Sequence, residues 1–111
     1  TRGLINAARL DLLERGAGVV NIGRAALMDY ARLRKKLEDG ELCGAVLDVF
    51  EEEPLPADSP WWTTRNVIVT PHISCDTPGY IDRLLDRWFA NFERFLKGEP
   101  FENAVDRKLG Y

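Results

Sequence analysis

The chain has 111 residues, 45% of them apolar and 30% charged, with a formal net charge of −3. That length suits one small domain able to bury roughly two-thirds of the surface of its unfolded chain, and the composition is that of a soluble globular protein rather than a disordered one. The basic residues are scattered among acids, which leaves no electrostatic footprint for nucleic acid, and no apolar run approaches the ~20 residues of a membrane span.

The opening Thr1-Arg-Gly-Leu-Ile-Asn6 has neither a long apolar region nor a cleavage site, so no secretory leader is expected there. The absence of an initiator methionine is what a processed chain or a fragment would show. Cys43 and Cys75 make no metal-ligand spacing, and with one histidine in the chain no zinc site is expected. The two cysteines read as reduced thiols of a cytoplasmic protein.

In chain order, Asn6 can cap a helix running from Ala7 to about Arg15, with Leu10 and Leu13 on one face and Gly16 as its stop. Residues 17–22 are a short apolar run rich in β-branched side chains, which predicts a buried strand. Asp29 is the next cap. The helix from Tyr30 to about Asp39 should turn Leu33 and Leu37 inward and Arg32, Arg34, Lys35 and Lys36 mostly outward, with Gly40 ending it. A second strand is expected over 43–49. Residues 50–65 have no usable period, and Pro54, Pro56 and Pro60 block helix and ladder alike. A structureless loop of that length is uncommon in a compact domain and is often functional. Trp61 and Trp62 should pack part of it down. The third strand covers 66–70.

Thr77-Pro78 is a strong helix start, a hydroxyl cap followed by proline at the first helical position. Ile81, Leu84, Leu85, Trp88, Phe92, Phe95 and Leu96 then recur at spacings of three and four, and Tyr80 and Phe89 widen the stripe. Gly98 and Pro100 end it, and the tail 101–111 reads as irregular. Short, continuously apolar strands alternating with amphipathic helices predict an α/β fold, a parallel sheet with flanking helices on both faces. Three strands are few for that architecture, which suggests half of something larger.

In open parallel sheets ligands bind beyond the carboxyl ends of the strands. Arg24 follows the first strand, Asp48 ends the second with Glu51, Glu52 and Glu53 just after, and His72 follows the third. Arginine offers a planar fork that fits a carboxylate. Histidine titrates near neutrality and can give or take a proton. A glutamate beside it would hold one tautomer and favour the charged ring. The set suits reduction of a small keto acid, with Arg24 on the substrate carboxylate and His72 protonating the developing alkoxide. Each residue also has a structural reading: a loop histidine, an arginine bonding loop carbonyls, a solvated run of acids. Spacing alone does not choose among the three glutamates.

Three segments in register resemble the D-isomer-specific 2-hydroxyacid dehydrogenases. They are Asn21-Ile-Gly-Arg24 continuing to Met28-Asp29, then Asp48-Val-Phe-Glu-Glu-Glu-Pro-Leu-Pro56, then Thr70-Pro-His-Ile73. The opening residues 1–7 also match the family's approach to this region, and the resemblance covers essentially the whole chain. It implies that Arg24 binds substrate, that His72 is the general acid/base and that Glu53, the glutamate before the proline, is its partner. It further implies an NAD or NADP cofactor met by Ile22, Gly23, Arg24, Asp48, His72 and Ser74, with Asp48 toward the nicotinamide carboxamide. Ala25 stands where the family usually has glycine, Gly23 where alanine is common, and Ser74 and Cys75 where Gly or Ala is typical.

The resemblance also implies a domain reading. Residues 1–77 would be the C-terminal half of a Rossmann-like NAD(P)-binding domain, and 78–111 a long helix and tail returning to a substrate domain that is absent here. No Gly-x-Gly-x-x-Gly turn and no ribose-reading residue occur in the chain, so the 111 residues by themselves are expected to bind cofactor weakly and to be inactive. Among subgroups, the segments around Trp61-Trp62 and from Lys97 to Tyr111 look most like the bacterial glyoxylate/hydroxypyruvate reductase A type, with Tyr111 as the natural end and a homodimer as the full-length form. Two other readings stay open: a non-catalytic, nucleotide-sensing protein of the same fold family, and a half-sheet module that serves assembly.

Overall fold

Three short strands, β1 (Gly18–Asn21), β2 (Gly44–Leu47) and β3 (Val67–Val69), pair in parallel in the order β1-β2-β3 in the computed structural model, which describes residues 1–109. The expectation for Tyr111 lies outside the described residues. The chain divides into two compact units, Thr1–Cys75 and Asp76–Tyr111.

In the first unit the register sets Asn21 opposite Leu47 and Leu47 opposite Val69. The three carboxyl ends are therefore level, and whatever follows each strand emerges along one edge. Val19, Asn21, Ala45 and Leu47 are buried on one face of this sheet. Leu10 from α1 (Ala7–Asp11) and Leu33 and Leu37 from α2 (Tyr30–Glu38) join them in the core, with Leu42, Phe50 and Trp61. A fully buried leucine contributes roughly 1.5–3 kcal/mol, so this cluster is the main source of the unit's stability. The opposite face differs from expectation. Val20 is 65% and Ile68 60% exposed, a period-two alternation that marks a sheet covered on one side only.

Both helix caps form as the sequence predicts: Asn6 Oδ1 accepts from the Arg9 N–H and Asp29 Oδ1 from the Arg32 N–H. α1 nevertheless stops at Asp11, because Leu10 is the one residue it buries and Gly16, at a φ of 83°, donates instead to the Glu41 carbonyl. Lys36 is a second correction. It is 4% exposed, not outward, with its ammonium 2.6 Å from Glu41 and 3.6 Å from Asp11. A lysine is buried at such a position only when its charge is paired. In the long loop, a 3₁₀ turn over Pro60–Trp62 is capped by Ser59. Trp61 reaches the core, while Trp62 stays exposed and its indole donates to the Pro56 carbonyl.

In the second unit α3 (Tyr80–Leu96) begins two residues after the start that Thr77-Pro78 signals. Gly79 precedes it at a φ of 73°, a left-handed conformation natural to glycine, and the Thr77 hydroxyl accepts from Arg83 rather than capping. No residue of α3 is buried. Trp88 packs edge-on against Phe89 and stacks on Phe92. The tail is tied back by Glu102, whose carboxylate meets Arg87 and Arg94 while its backbone pairs with the Asn91 amide.

Candidate active site

The level strand ends carry polar side chains that are themselves held by buried polar residues. β1 ends in Asn21, 3% exposed. Its Oδ1 accepts from the Gly23 N–H at 3.1 Å, and its Nδ2 donates to the Arg24 carbonyl at 3.2 Å and to Tyr30 Oη at 3.0 Å. A short polar side chain bonding its own backbone two residues on is a turn-former. Here it closes the turn and leaves Ile22, Gly23 and Arg24 facing solvent. Ala25 enters a 3₁₀ turn with ordinary backbone angles, so nothing at that position requires glycine.

β2 runs into Asp48, 1% exposed. Its Oδ1 accepts from Thr70 Oγ1 at 2.5 Å and from the Ile73 N–H at 3.0 Å, and its Oδ2 from the Ser74 N–H at 2.9 Å. The carboxylate thus closes the loop after β3 around His72, which sits at a φ of 55°. That left-handed conformation is costly for a residue with a Cβ, by about 1–2 kcal/mol, and the bonds to Asp48 on both sides of His72 hold it. The Thr70 hydroxyl does most to keep the Asp48 carboxyl far below the usual carboxylate range; burial opposes it, and the donors of Ser74 and Ile73 add to it.

Glu53 is the glutamate that reaches the histidine. Its Oε1 accepts from the Phe50 N–H at 2.8 Å, and its Oε2 lies 2.8 Å from His72 Nδ1. Glu51 and Glu52 stay in solvent. The imidazole contact, then the Phe50 N–H, lowers the Glu53 pKa from its ordinary 4.5. His72 Nε2 faces Arg24 Nη1 at 3.5 Å, and the same Nη1 donates to the Gly23 carbonyl at 2.7 Å. One histidine is thereby set between a carboxylate and a guanidinium, each partly open to solvent. The carboxylate favours a proton on Nδ1, which leaves Nε2 as the nitrogen facing Arg24, and Arg24 is placed to hold an anion beside it. A recess of about 590 Å³ opens next to the pair, walled by Phe50, Leu55, Trp62, Val69 and Pro71.

Arg24, Glu53 and His72 therefore meet. Ile22 and Gly23 lie exposed beside Arg24, and Ser74 and Asp48 belong to the His72 loop. Asn21, Thr70 and Tyr30 carry much of the geometry; the sequence named the first two only within motifs and the third only as a helix start, with no role at the site. A polar residue closing an apolar strand was the available signal for Asn21. Among the described residues no group of three His, Cys, Asp or Glu side chains could hold a metal, and no helix is long and apolar enough to cross a membrane.

Comparison with known proteins points in one direction. The family profile described as D-isomer specific 2-hydroxyacid dehydrogenase, NAD binding domain, matches residues 1–74. A glyoxylate/hydroxypyruvate reductase A of Salmonella newport is 43% identical over 112 residues, covering all of this chain and 35% of its own length. A D-isomer specific 2-hydroxyacid dehydrogenase from Xanthobacter autotrophicus Py2, solved with NADPH and MES, superposes with a TM-score of 0.87 at 43% identity, over the whole of this chain and 45% of its own. The NADPH-dependent glyoxylate/hydroxypyruvate reductase of Sinorhizobium meliloti, solved with NADP and sulfate, gives 0.85 at 40% identity, over the whole of this chain and 36% of its own. The chain spans about a third of the length of the curated relatives it matches.

Proposed function

Because the chain belongs to the D-isomer specific 2-hydroxyacid dehydrogenase family, through that family's NAD-binding domain, we propose that it forms the catalytic edge of an NAD(P)-dependent reductase of small 2-keto acids. Glyoxylate and hydroxypyruvate are the preferred substrates. The observation that carries the proposal is His72 held between the Glu53 carboxylate at 2.8 Å and the Arg24 guanidinium at 3.5 Å.

The chain's residues suit the nicotinamide end of the cofactor. Exposed Ile22 and side-chain-free Gly23 make an open, apolar step at the end of β1, against which a flat ring would rest, and Asp48 holds the Ser74 backbone in the His72 loop. A bound nicotinamide supplies the hydride that becomes the new C–H bond. Arg24 holds the keto acid through its carboxylate, which fits the guanidinium fork. His72, charged before the step, gives the Nε2 proton to the carbonyl oxygen as that oxygen becomes an alkoxide, and so returns to the neutral ring. Glu53 accepts from Nδ1–H throughout and so fixes the orientation of the ring. The reverse reaction uses the same atoms, with Nε2 taking the hydroxyl proton.

In the domain assignment that goes with this reading, residues 1–77 are the second half of the dinucleotide-binding domain, and 78–111 lead back to a substrate domain supplied from outside the chain. An α3 without a buried residue supports that assignment. The full-length protein would be a cytoplasmic homodimer without nucleic-acid or membrane partners. The test is reduced-nicotinamide consumption with glyoxylate or hydroxypyruvate. A full-length protein carrying this chain should consume it, whereas the 111 residues alone should not. Failure of the full-length protein with both acids and both cofactors would overturn the activity. Robust turnover by the verified 111-residue chain would overturn its incompleteness.

A further inference from the structure

Tyr30 opens α2 and has no part in the proton or hydride transfer, yet its hydroxyl lies between the two halves of the site. Its Oη donates to the Val49 carbonyl at 2.6 Å. The N–H of that same peptide unit, on Phe50, donates to Glu53 Oε1 at 2.8 Å. A peptide group is planar, so whatever turns the Val49 carbonyl turns the Phe50 N–H with it. On its other side Oη accepts from Asn21 Nδ2, the group that also reaches the Arg24 carbonyl.

The direction of these bonds is settled by the chemistry of the donors. Asn21 Oδ1 accepts from the Gly23 N–H, which orients the amide. Nδ2 can then only donate, and the single phenolic proton is left for Val49. The ring itself is held by edge contacts with Phe50 and Trp61, with centroids 5.9 and 5.4 Å away. Burial, opposed by the Asn21 bond and assisted by the charges of Glu53 and Glu51, pushes the phenol up to about 12. Tyr30 therefore remains a neutral donor across the working pH range.

Resting on the reading of Glu53 and His72 as the acid/base pair, we infer that Tyr30 is a positioning residue. Its hydroxyl orients the Val49–Phe50 peptide so that the Phe50 N–H pins Glu53 against His72, and through Asn21 it ties that pair to the turn carrying Arg24. The bonds close into a circuit: Arg24 carbonyl, Asn21 amide, Tyr30 hydroxyl, Val49–Phe50 peptide, Glu53 carboxylate, His72 imidazole and back to the Arg24 guanidinium.

His72 is the only histidine, so the ¹⁵N shifts of its two ring nitrogens in the 111-residue chain report the neutral tautomer without overlap. Glu53 accepting at Nδ1 and Arg24 donating at Nε2 both favour the Nδ1–H form. Glu53→Ala should move the population toward Nε2–H. Tyr30→Phe, which keeps the packed ring, should move it the same way by a smaller amount and shift the Phe50 amide proton upfield. In the Glu53→Ala background Tyr30→Phe should add only the smaller part that reaches His72 through Asn21 and the Arg24 turn. Placing 3-fluorotyrosine at position 30 makes a stronger donor without removing the bond, and should shift the Phe50 amide proton downfield through the shared peptide; no shift there counts against the inference. If Glu53→Ala moves the tautomer while Tyr30→Phe lowers stability and leaves both signals in place, Tyr30 is structural only and the inference falls alone. If Glu53→Ala leaves the tautomer unchanged, the pairing under the proposed function falls as well.

Discussion

At the strand ends of the first unit the side chains withdrawn from water include polar ones. Asn21 and Asp48 are almost fully buried, and each of their side-chain polar atoms has a partner. Along α3 of the second unit the reverse holds. Trp88, Phe89, Phe92 and Phe95 are exposed, and charged residues occur among them. A buried polar group is tolerated when its bonds are made, and a long apolar stripe in water marks a surface meant for another surface. The first region is thus complete in its own bonding. The second leaves its apolar stripe uncovered, in a chain that spans about a third of the relatives it matches.

That contrast can be broken at four points. The largest effect should come from His72→Ala in a full-length protein, where loss of the proposed general acid should lower kcat for keto-acid reduction by roughly 10²–10⁴-fold; a drop of only a few-fold would remove His72 from the proton transfer. Next is the core beneath the strands. Leu33→Ala should destabilise the first unit by about 2–5 kcal/mol in urea unfolding, as large-to-small changes at fully buried positions do.

The third is a dependence on pH at both extremes. The Glu53 and Asp48 pKa values are depressed in the folded chain. Their contribution is therefore fully present above the unfolded carboxylate values and drains away as pH falls through the folded ones. Tyr30 runs the other way. Its contribution is whole below pH 10 and is lost as pH rises to about 12. Thermal melts across that alkaline window should show a decline that Tyr30→Phe makes shallower, and an unchanged slope in the variant would exclude Tyr30 as a source of it. The smallest effect is expected at α3. Leu85→Ala in the 111-residue chain should change the unfolding free energy of the first unit by less than about 0.5 kcal/mol. A loss comparable to that of Leu33→Ala would show that the stripe already supports that unit.

How much of this was legible in sequence depended on how local the cause was. The caps Asn6 and Asp29, the inward Leu33 and Leu37, and the three short strands follow from signals within one turn or one strand, and their parallel pairing from the alternation with helices. Where a partner lay more than one turn away along the chain, the reading failed. Lys36 was expected mostly outside, whereas Glu41, five residues on, and Asp11 together pair its buried ammonium, and α1 was drawn too long because Gly16 answers to Glu41. Thr77 lost its capping part to Arg83, six residues on. Tyr30 was read as the first residue of a helix, although its hydroxyl belongs to a loop nineteen residues away.

The amino-acid sequence by itself determined that a cation, a run of carboxylates and a lone histidine follow three successive strands, since strand ends and turn residues are set by neighbours in the chain. Motif resemblance added a choice of glutamate that spacing did not supply. Only the tertiary structure decided that Asn21 and Asp48 are spent on closing the two loops, and that the Val49–Phe50 peptide turns its N–H toward Glu53. The reason is physical: a hydrogen bond is made between groups that the fold brings within about 3 Å with the right direction, and neither distance nor direction is written in the order of residues.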